Sequence, residues 1–408
     1  MTAHFDAAET QPLSAREAAL FARLPDVLAR AKQNAPAWAD RLADIDPAST
    51  NSREALATLP VLRKSDLMAA QTAAPPFGGF LAVPDANLSR IFLSPGPVAV
   101  PQGPEADPWQ CARALFAAGV RPGETVANTF GYHVTPGAFI LESGLEALHC
   151  PVFAAGPGSA AEMVRSIAAV GATVYCGVPD YLNILLDKAA EADIALAIDK
   201  ALVSGAALPP DLRTRIEDRG VRVAQCYATA DLGVIAYESE AREGLILNEN
   251  MILEIVRPGT GDPVPDGEVG EIVITRFSPS YPLIRFATGD LTAVLPGPSP
   301  CGRTNTRIKG WMGRADHRTK VKGMFVDPAQ IAEVQRRHGI QKARLVVERR
   351  GHADHMTLHV EGVDEAAHAE IAATLKALTN ISGDVTGAAP GTLPNDGKVI
   401  ADERPVEA

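Results

Sequence analysis

The alternation of apolar and polar positions divides the chain into successive regimes. Near the start, Leu20, Leu24, Val27, Leu28 and Ala31 recur at spacings of three and four. That spacing predicts an amphipathic helix, interrupted near Pro25 because proline removes a backbone donor. From about residue 108 to 230, apolar runs such as "ETVANTF", "TVYCGV", "KALVSG" and "VRVAQCY" alternate with helical patterns such as "GAFILESGLEALHC" and "DYLNILLDKAAEA". Strand and helix in alternation predict a largely parallel sheet covered by helices on both faces. Ligands of such sheets bind beyond the C-terminal ends of the strands. Between about 232 and 314, the shorter runs "ILEIVRP", "GEVGEIVIT" and "LTAVLPG", punctuated by Gly and Pro, predict an antiparallel β subdomain. Beyond Arg314, Asp327 as N-cap and Pro328 at the first helical position open a helix, followed by two strands and another helix. The expected fold class is therefore α/β: a large N-terminal domain with mixed and parallel sheets and a β subdomain, plus a small α+β C-terminal domain.

Composition narrows the function classes. The chain of 408 residues exceeds the usual size of one domain, and 46% hydrophobic with 21% charged residues is the balance of a soluble globular protein. No apolar run approaches the ~18 residues of a membrane span. The opening "MTAHFDAAETQPLSAREAAL" lacks the basic start and apolar core of a secretory signal, so a cytoplasmic location is expected. A net charge of -11 without clustered Lys and Arg argues against a nucleic-acid surface. The five cysteines form no C-x-x-C pair, which fits reduced thiols better than a disulfide framework. Neither a Walker lysine nor a G-x-G-x-x-G stretch is present, which removes the main support for kinase and dehydrogenase readings.

Four separated stretches, "YATADLG" at 227 to 233, "YPLIRFATGDL" at 281 to 291, "GRADHRTKVKG" at 313 to 323 and "PNDGKV" at 394 to 399, together resemble the phenylacetate-CoA ligase-like branch of the AMP-forming adenylating enzymes. "LPVLRKSDL" at 59 to 67 is similar to that branch's N-terminal region, so the likeness covers nearly the whole chain. It implies the adenylate-forming enzyme fold, with an N-terminal adenylation domain at 1–314 and a mobile C-terminal domain at 315–408. It also implies ATP, Mg2+, coenzyme A and a phenylacetate-like aromatic carboxylic acid as the small molecules bound. The activity implied is an ATP-dependent, AMP-forming acid–thiol ligation, of the kind used in aromatic acid catabolism.

The resemblance assigns roles residue by residue. Tyr227 stands beside adenine with Ala228, and Asp231 takes a phosphate-bound Mg2+, for which one carboxylate suffices. The family usually has Gly, a hydroxyl residue and Glu where this chain has Ala228, Ala230 and Asp231, a shorter acid with no neighbouring hydroxyl. Asp290 grips the ribose hydroxyls with two charged acceptors. By itself, an acid after Gly289 reads equally well as a turn residue. Arg303 and Arg314 add cations for the nucleotide, Arg314 being the better match. Asp316 is the expected hinge between the domains, and Lys320 and Lys322 are CoA-binding candidates. Lys398 is the expected catalytic cation: adenylation joins two anions, and a mobile ammonium offsets charge building on the α-phosphate. A lysine near a chain terminus is otherwise an ordinary solvated residue. "TFGYHVTPGAF" at 129 to 139 resembles an acyl-pocket wall, with Tyr132, His133, Pro136 and Gly137 near the carboxylate and His133 in an orienting role. In "VSGAALP", Gly205 and Ala206 would lie along the nucleotide, and the small Ala206, Ala207, Ala228 and Ala230 leave room for an aromatic group.

The chain departs from the family at "SPGPVAVPQG", where the phosphate loop is normally rich in Ser, Thr and Gly. Ser94 and Gly96 remain, but Pro95, Pro97 and Pro101 remove N–H donors and restrict φ. The expectation is a reduced clamp, with more of the phosphate charge met by magnesium and Lys398. Some relatives carry further cysteines that bind a structural zinc; Cys301 alone cannot supply four ligands, so no structural zinc is expected. Two alternatives stay open: an adenylating enzyme with a non-CoA acceptor, and a nucleotide-binding homologue without turnover. A homodimer is an open expectation.

Overall fold

The computed structural model describes residues 4–315, 318–350 and 353–404. The first long helix, Leu13–Asn34, runs unbroken through Pro25, where the sequence pattern predicts an interruption. Its buried face of Leu20, Phe21, Leu24, Val27, Leu28 and Ala31 is continuous across the proline. Packing of that face outweighs the one helical hydrogen bond that proline removes.

A nine-stranded sheet among the described residues runs in the order Val294–Leu295, Arg307–Ile308, Leu245–Leu247, Gly233–Tyr237, Arg222–Thr229, Lys200–Val203, Val174–Gly177, Val126–Asn128 and Val152–Ala154. The last five of these pair in parallel, as the βα alternation predicts. Pairing turns antiparallel where Arg222–Thr229 meets Gly233–Tyr237 and stays so to Arg307–Ile308. Side chains alternate between the sheet's two faces. Val174, Cys176, Leu202 and Cys226 join a core with the helices Ala112–Ala117 and Gly137–Ala147. Tyr175, Ala201, Val203 and Val223 join another with Ala160–Val170, Pro179–Glu191 and Pro210–Glu217. Helices therefore cover both faces, leaving the ends of the strands for function.

The segment from 232 to 314 contributes to two sheets. Four of its strands extend the large sheet; Met251–Val256, Gly270–Arg276 and Leu283–Thr292 form another with Leu62–Arg63. "IFLSPGPVAV" is a tight hairpin rather than an open loop: Arg90–Ser94 pairs with Val98–Gln102, register Ser94 to Val98. Gly96, at φ +95°, supplies the positive φ that a type II turn needs at its third residue, and Pro95 before it suits the second.

The chain divides into two compact units. One comprises Met1–Ile252, Ile274–Phe286 and Leu295–Gly310; the other comprises Leu253–Val273, Ala287–Val294 and Trp311–Ala408. Three strands of the four-stranded sheet carry the chain from one unit into the other. In the second unit, strands lie in the order Asp384–Ala388, Ala353–Glu361, Ala343–Arg350 and Ile400–Asp402. Leu345, Val347, Met356, Leu358 and Val360 pack there with Ile331, Val334, Ile371 and Leu375 from the helices Pro328–His338 and His368–Thr379. Asp327 opens the first of these helices, its N–H donating to Gln330 Oε1 at 2.9 Å.

Candidate functional site

In the first unit, sheet register brings several expected residues to one edge. Val203 lies opposite Gln225, so Gly205 and Tyr227 follow from the same ends of neighbouring strands. Asn128, at the end of its own strand, donates to Tyr132 Oη at 3.0 Å and to the Ala138 carbonyl at 2.9 Å, which fixes the "FGYHVTPG" turn. Tyr132 packs edge-on against Phe139, and burial together with neighbouring Glu142 pushes its phenol pKa well above the usual value. Pro136 and Gly137 start the helix Gly137–Ala147. His133 is exposed, and Val134 beside it holds φ +64°, a costly conformation for a β-branched residue. The Val134 carbonyl accepts from Leu93 N–H at 2.9 Å, tying this turn to the proline hairpin. Gly205 adopts φ +77°; a Cβ there would sit 3.4 Å from the Phe130 ring, and both Gly205 and Ala206 are exposed.

The "YATADLG" turn is the most constrained element of this edge. A register shift between Tyr227 and Ala228 turns the strand. Ala230 and Asp231 then form the turn, closed by Leu232 N–H donating to Thr229 Oγ1 at 3.2 Å. Gly233 has φ +77°, and a Cβ there would fall 2.6 Å from Trp109 Cβ, so only glycine fits. Asp231 is 3% exposed. Its Oδ2 accepts from Lys64 Nζ at 3.0 Å, and its Oδ1 is buried with no hydrogen-bond partner among the described residues. Ser94 Oγ, in the hairpin, is likewise buried and unpartnered. Buried oxygens of this kind are rare unless a ligand completes them.

Lys64 is a residue that the pattern of the chain does not single out. It opens the helix Lys64–Ala73, inside the "LPVLRKSDL" stretch, and reaches Asp231 across 167 positions of sequence. Magnesium passes a test of fit here: one carboxylate with a spare oxygen, completed by phosphate oxygens and water, is a donor set that ion accepts. No cluster of three or more His, Cys, Asp or Glu able to hold a metal occurs among the described residues.

Arg303 has a different setting. Its side chain is 1% exposed, and Nε donates at 2.7 Å to Glu9 Oε1, which also accepts from Tyr237 Oη at 2.9 Å. This buried charge is engaged with the N-terminal segment.

In the second unit Asp290 lies inside the strand Leu283–Thr292 rather than ending one, and pairs across a β-bridge with Arg314. Its Oδ1 accepts from Trp311 Nε1 at 2.9 Å and from Arg314 Nη1 at 3.1 Å. Trp311, 57% exposed, adds an aromatic surface beside the acid that the sequence reading omitted. Lys398 is exposed, between Gly397 and the strand Ile400–Asp402. Its N–H donates to Asp396 Oδ1 at 3.1 Å, and Asp396 is held by Arg344 at 2.6 Å. Gly397 has φ +70°, and a Cβ there would meet Val269 Cγ1 at 2.7 Å. Arg314 and Lys398 line one cleft of about 320 Å³ with Arg344, Ile400 and Asp402. Lys320 and Lys322 stand on the hairpin Thr319–Val321 to Met324–Val326, exposed, with Lys322 and Gly323 both at positive φ as a type I′ turn demands. Asp316, the expected hinge, lies outside the described residues.

Known proteins resemble this chain over most of its length. The AMP-binding enzyme family matches residues 132–278. The phenylacetate-coenzyme A ligase of Thermus thermophilus is 30% identical over 373 residues, covering 86% of this chain and 83% of its own. The chain belongs to the phenylacetate-CoA ligase family of AMP-binding enzymes. Another relative in that family, the phenylacetate-coenzyme A ligase of Pseudomonas putida, is 29% identical and covers 95% of this chain and 93% of its own. Among solved structures, a 2-hydroxyisobutyryl-CoA ligase in complex with 2-HIB-AMP and CoA in the thioesterification state aligns with TM-score 0.73 and 25% identity, covering 99% of this chain and 93% of that one. The same ligase in its postadenylation state with 2-HIB-AMP aligns with TM-score 0.72 over 97% of this chain. The family membership and this likeness agree with the adenylate-forming α/β fold.

Proposed function

We propose that this AMP-forming acyl-CoA ligase acts on an aromatic carboxylic acid of the phenylacetate kind. The acid's carboxylate oxygen attacks the α-phosphorus of ATP, the bond to the β-phosphate breaks, and pyrophosphate leaves. The CoA thiol then loses its proton and attacks the acyl carbon, releasing AMP and the thioester. The observation that carries the reading is the Oδ1 of Asp231, buried and without a hydrogen-bond partner among the described residues, just beyond the strand Arg222–Thr229 and within the stretch that the AMP-binding enzyme family matches.

In this reading Asp231 holds Mg2+, which when bound neutralises phosphate charge, while Ser94 Oγ and Gly96 N–H supply what the proline hairpin retains of a phosphate clamp. Tyr227, Ala228, Gly205 and Ala206 border the adenine. Asp290 orients the ribose, with Trp311 and Arg314 fixing its carboxylate. Lys398 meets the α-phosphate as charge accumulates there. Tyr132, His133, Pro136, Gly137 and Ala230 border the acid. The C-terminal segment 315–408 turns about Asp316 between the half-reactions, bringing Lys320 and Lys322 to CoA. Arg303, engaged with Glu9, acts through the packing of the N-terminal segment. Among the described residues no helix is long and apolar enough to cross a membrane, and substrates such as ATP and CoA fit a cytoplasmic enzyme.

The test is pyrophosphate release over a panel of aromatic and aliphatic acids, with AMP release followed with and without CoA. Arylacetates should turn over fastest, and AMP release should depend on CoA. Equal AMP release without CoA would point to another acceptor. The proline hairpin favours a second reading, nucleotide binding without turnover; ATP affinity by calorimetry with no pyrophosphate from any acid would establish it.

A further inference from the structure

Arg276 ends the strand Gly270–Arg276 and is 7% exposed. A guanidinium so enclosed is ordinarily met by a carboxylate. Here its hydrogen bonds go instead to main-chain carbonyls: Nη1 donates to Asp231 O at 3.2 Å, and Nη2 to Pro108 O. Glu105 and Asp107 act on it electrostatically, but neither accepts a hydrogen bond from it among the described residues. Holding a charged group in such a place is unfavourable, so its retention calls for a task.

The two carbonyls belong to the segments that shape the acid's turn. On one side, the Asp107 carboxylate accepts from the N–H groups of Cys111 at 3.0 Å and Ala112 at 2.9 Å, which fixes residues 107–112. On the other, Val234 N–H donates to Trp109 O at 3.1 Å, and Gly233 lies directly against Trp109. These contacts secure the far side of the turn, after Asp231. The peptide at Asp231 itself is secured by Arg276 alone among the side chains that the described residues bring to its carbonyl.

We propose that Arg276 is a positioning residue for the Asp231 carboxylate: it locks the main chain at residue 231 to the 107–112 segment, so that Oδ1 meets the metal–phosphate group without reorganising. This rests on the reading of Asp231 given above. The role belongs to the guanidinium's two-pronged geometry, since one fork spans two carbonyls from different segments, whereas an ammonium reaches them from a single point.

The experiment measures ATP affinity by calorimetry, once with Mg2+ and once in EDTA, for the wild-type chain, Arg276→Gln, Arg276→Met, Arg276→Lys and Asp231→Asn, alongside thermal midpoints. Arg276→Gln and Arg276→Met should weaken Mg2+-supported affinity about tenfold while changing affinity in EDTA less than about twofold, the size typical of removing support behind a metal ligand. Arg276→Lys should fall between them and the wild type, because it keeps the charge and part of the bonding. A purely structural residue would lower both affinities together with the midpoint. For whichever of the three Arg276 variants folds, a ratio of Mg2+-supported to Mg2+-free affinity equal to wild type overturns the inference. A wild-type ratio in Asp231→Asn would instead remove the reading of Asp231 itself.

Discussion

The Asp231 turn and the Lys398 loop carry the two charges expected to serve one phosphate group, and they are built in opposite ways. Asp231 is 3% exposed and held by Lys64 and Arg276, with the hydrogen-bonded segment 107–112 behind it. Lys398 is exposed, its backbone fixed by Asp396 and Arg344 while its ammonium extends from a loop. Each has a glycine at positive φ within two residues, Gly233 against Trp109 and Gly397 against Val269. In the proposed function, that difference would answer two demands of the chemistry. A metal ligand works best when already in place, because reorganisation would weaken it. A cation that must serve one half-reaction and leave for the next needs a fixed base and a free end.

The sharpest way to break this contrast is Lys398→Ala. Pyrophosphate release should fall by about 10²–10³-fold, the loss typical of removing a group aimed at transition-state charge. Conversion of a supplied acyl-adenylate and CoA to thioester should change far less; an equal loss in both half-reactions would make Lys398 a structural residue. Next comes Gly233→Ala, which forces a side chain into Trp109 at an unfavourable φ and should destabilise the chain by about 2–4 kcal/mol in urea melts. Gly397→Ala should act more on rate than on stability. Its Cβ would press on Val269 and shift the base of Lys398, lowering adenylation about tenfold at saturating ATP, a scale common for small misplacement of a catalytic group.

The smallest effect concerns the Arg344–Asp396 clamp. Burial alone would raise the Asp396 carboxyl, but Arg344 and the Lys398 N–H outweigh it and hold its pKa below the ordinary 3.8. A carboxylate with a depressed folded pKa contributes stability that is complete above 3.8 and is lost as pH falls through the folded value. Arg344→Ala should therefore move acid unfolding to slightly higher pH and lower stability at pH 7 by less than about 1 kcal/mol, since the acid is partly exposed and screened. An unchanged acid limb would show that the clamp contributes nothing to the loop.

Much of the fold was legible because it depends on local pattern. Apolar runs at strand spacing, with helical patterns between them, announced the parallel strands from Val126–Asn128 to Arg222–Thr229, and "DP" announced the helix at Pro328–His338. The motif likeness likewise led to the family. Pro25 misled, because a rule about one missing hydrogen bond cannot weigh a whole buried helix face against it. The Asp290 strand was hidden as well: every residue of Leu283–Thr292 is buried, so no alternation marks it. Lys64 left one trace, its place in "LPVLRKSDL", and Trp311 another, three residues before Arg314. Arg276 left none.

The amino-acid order by itself determined most of the succession of strands and helices, the family and the acids and lysine of its motifs, since these are properties of neighbouring residues and short spacings. Tertiary structure alone decided that Lys64 and Arg276 meet at Asp231, that Trp311 holds Asp290, and that Arg303 is engaged with Glu9. Those pairings join residues from 21 to 294 positions apart. They exist because sheet register and burial close the chain on itself, and a buried charge must find its partner wherever the fold delivers one.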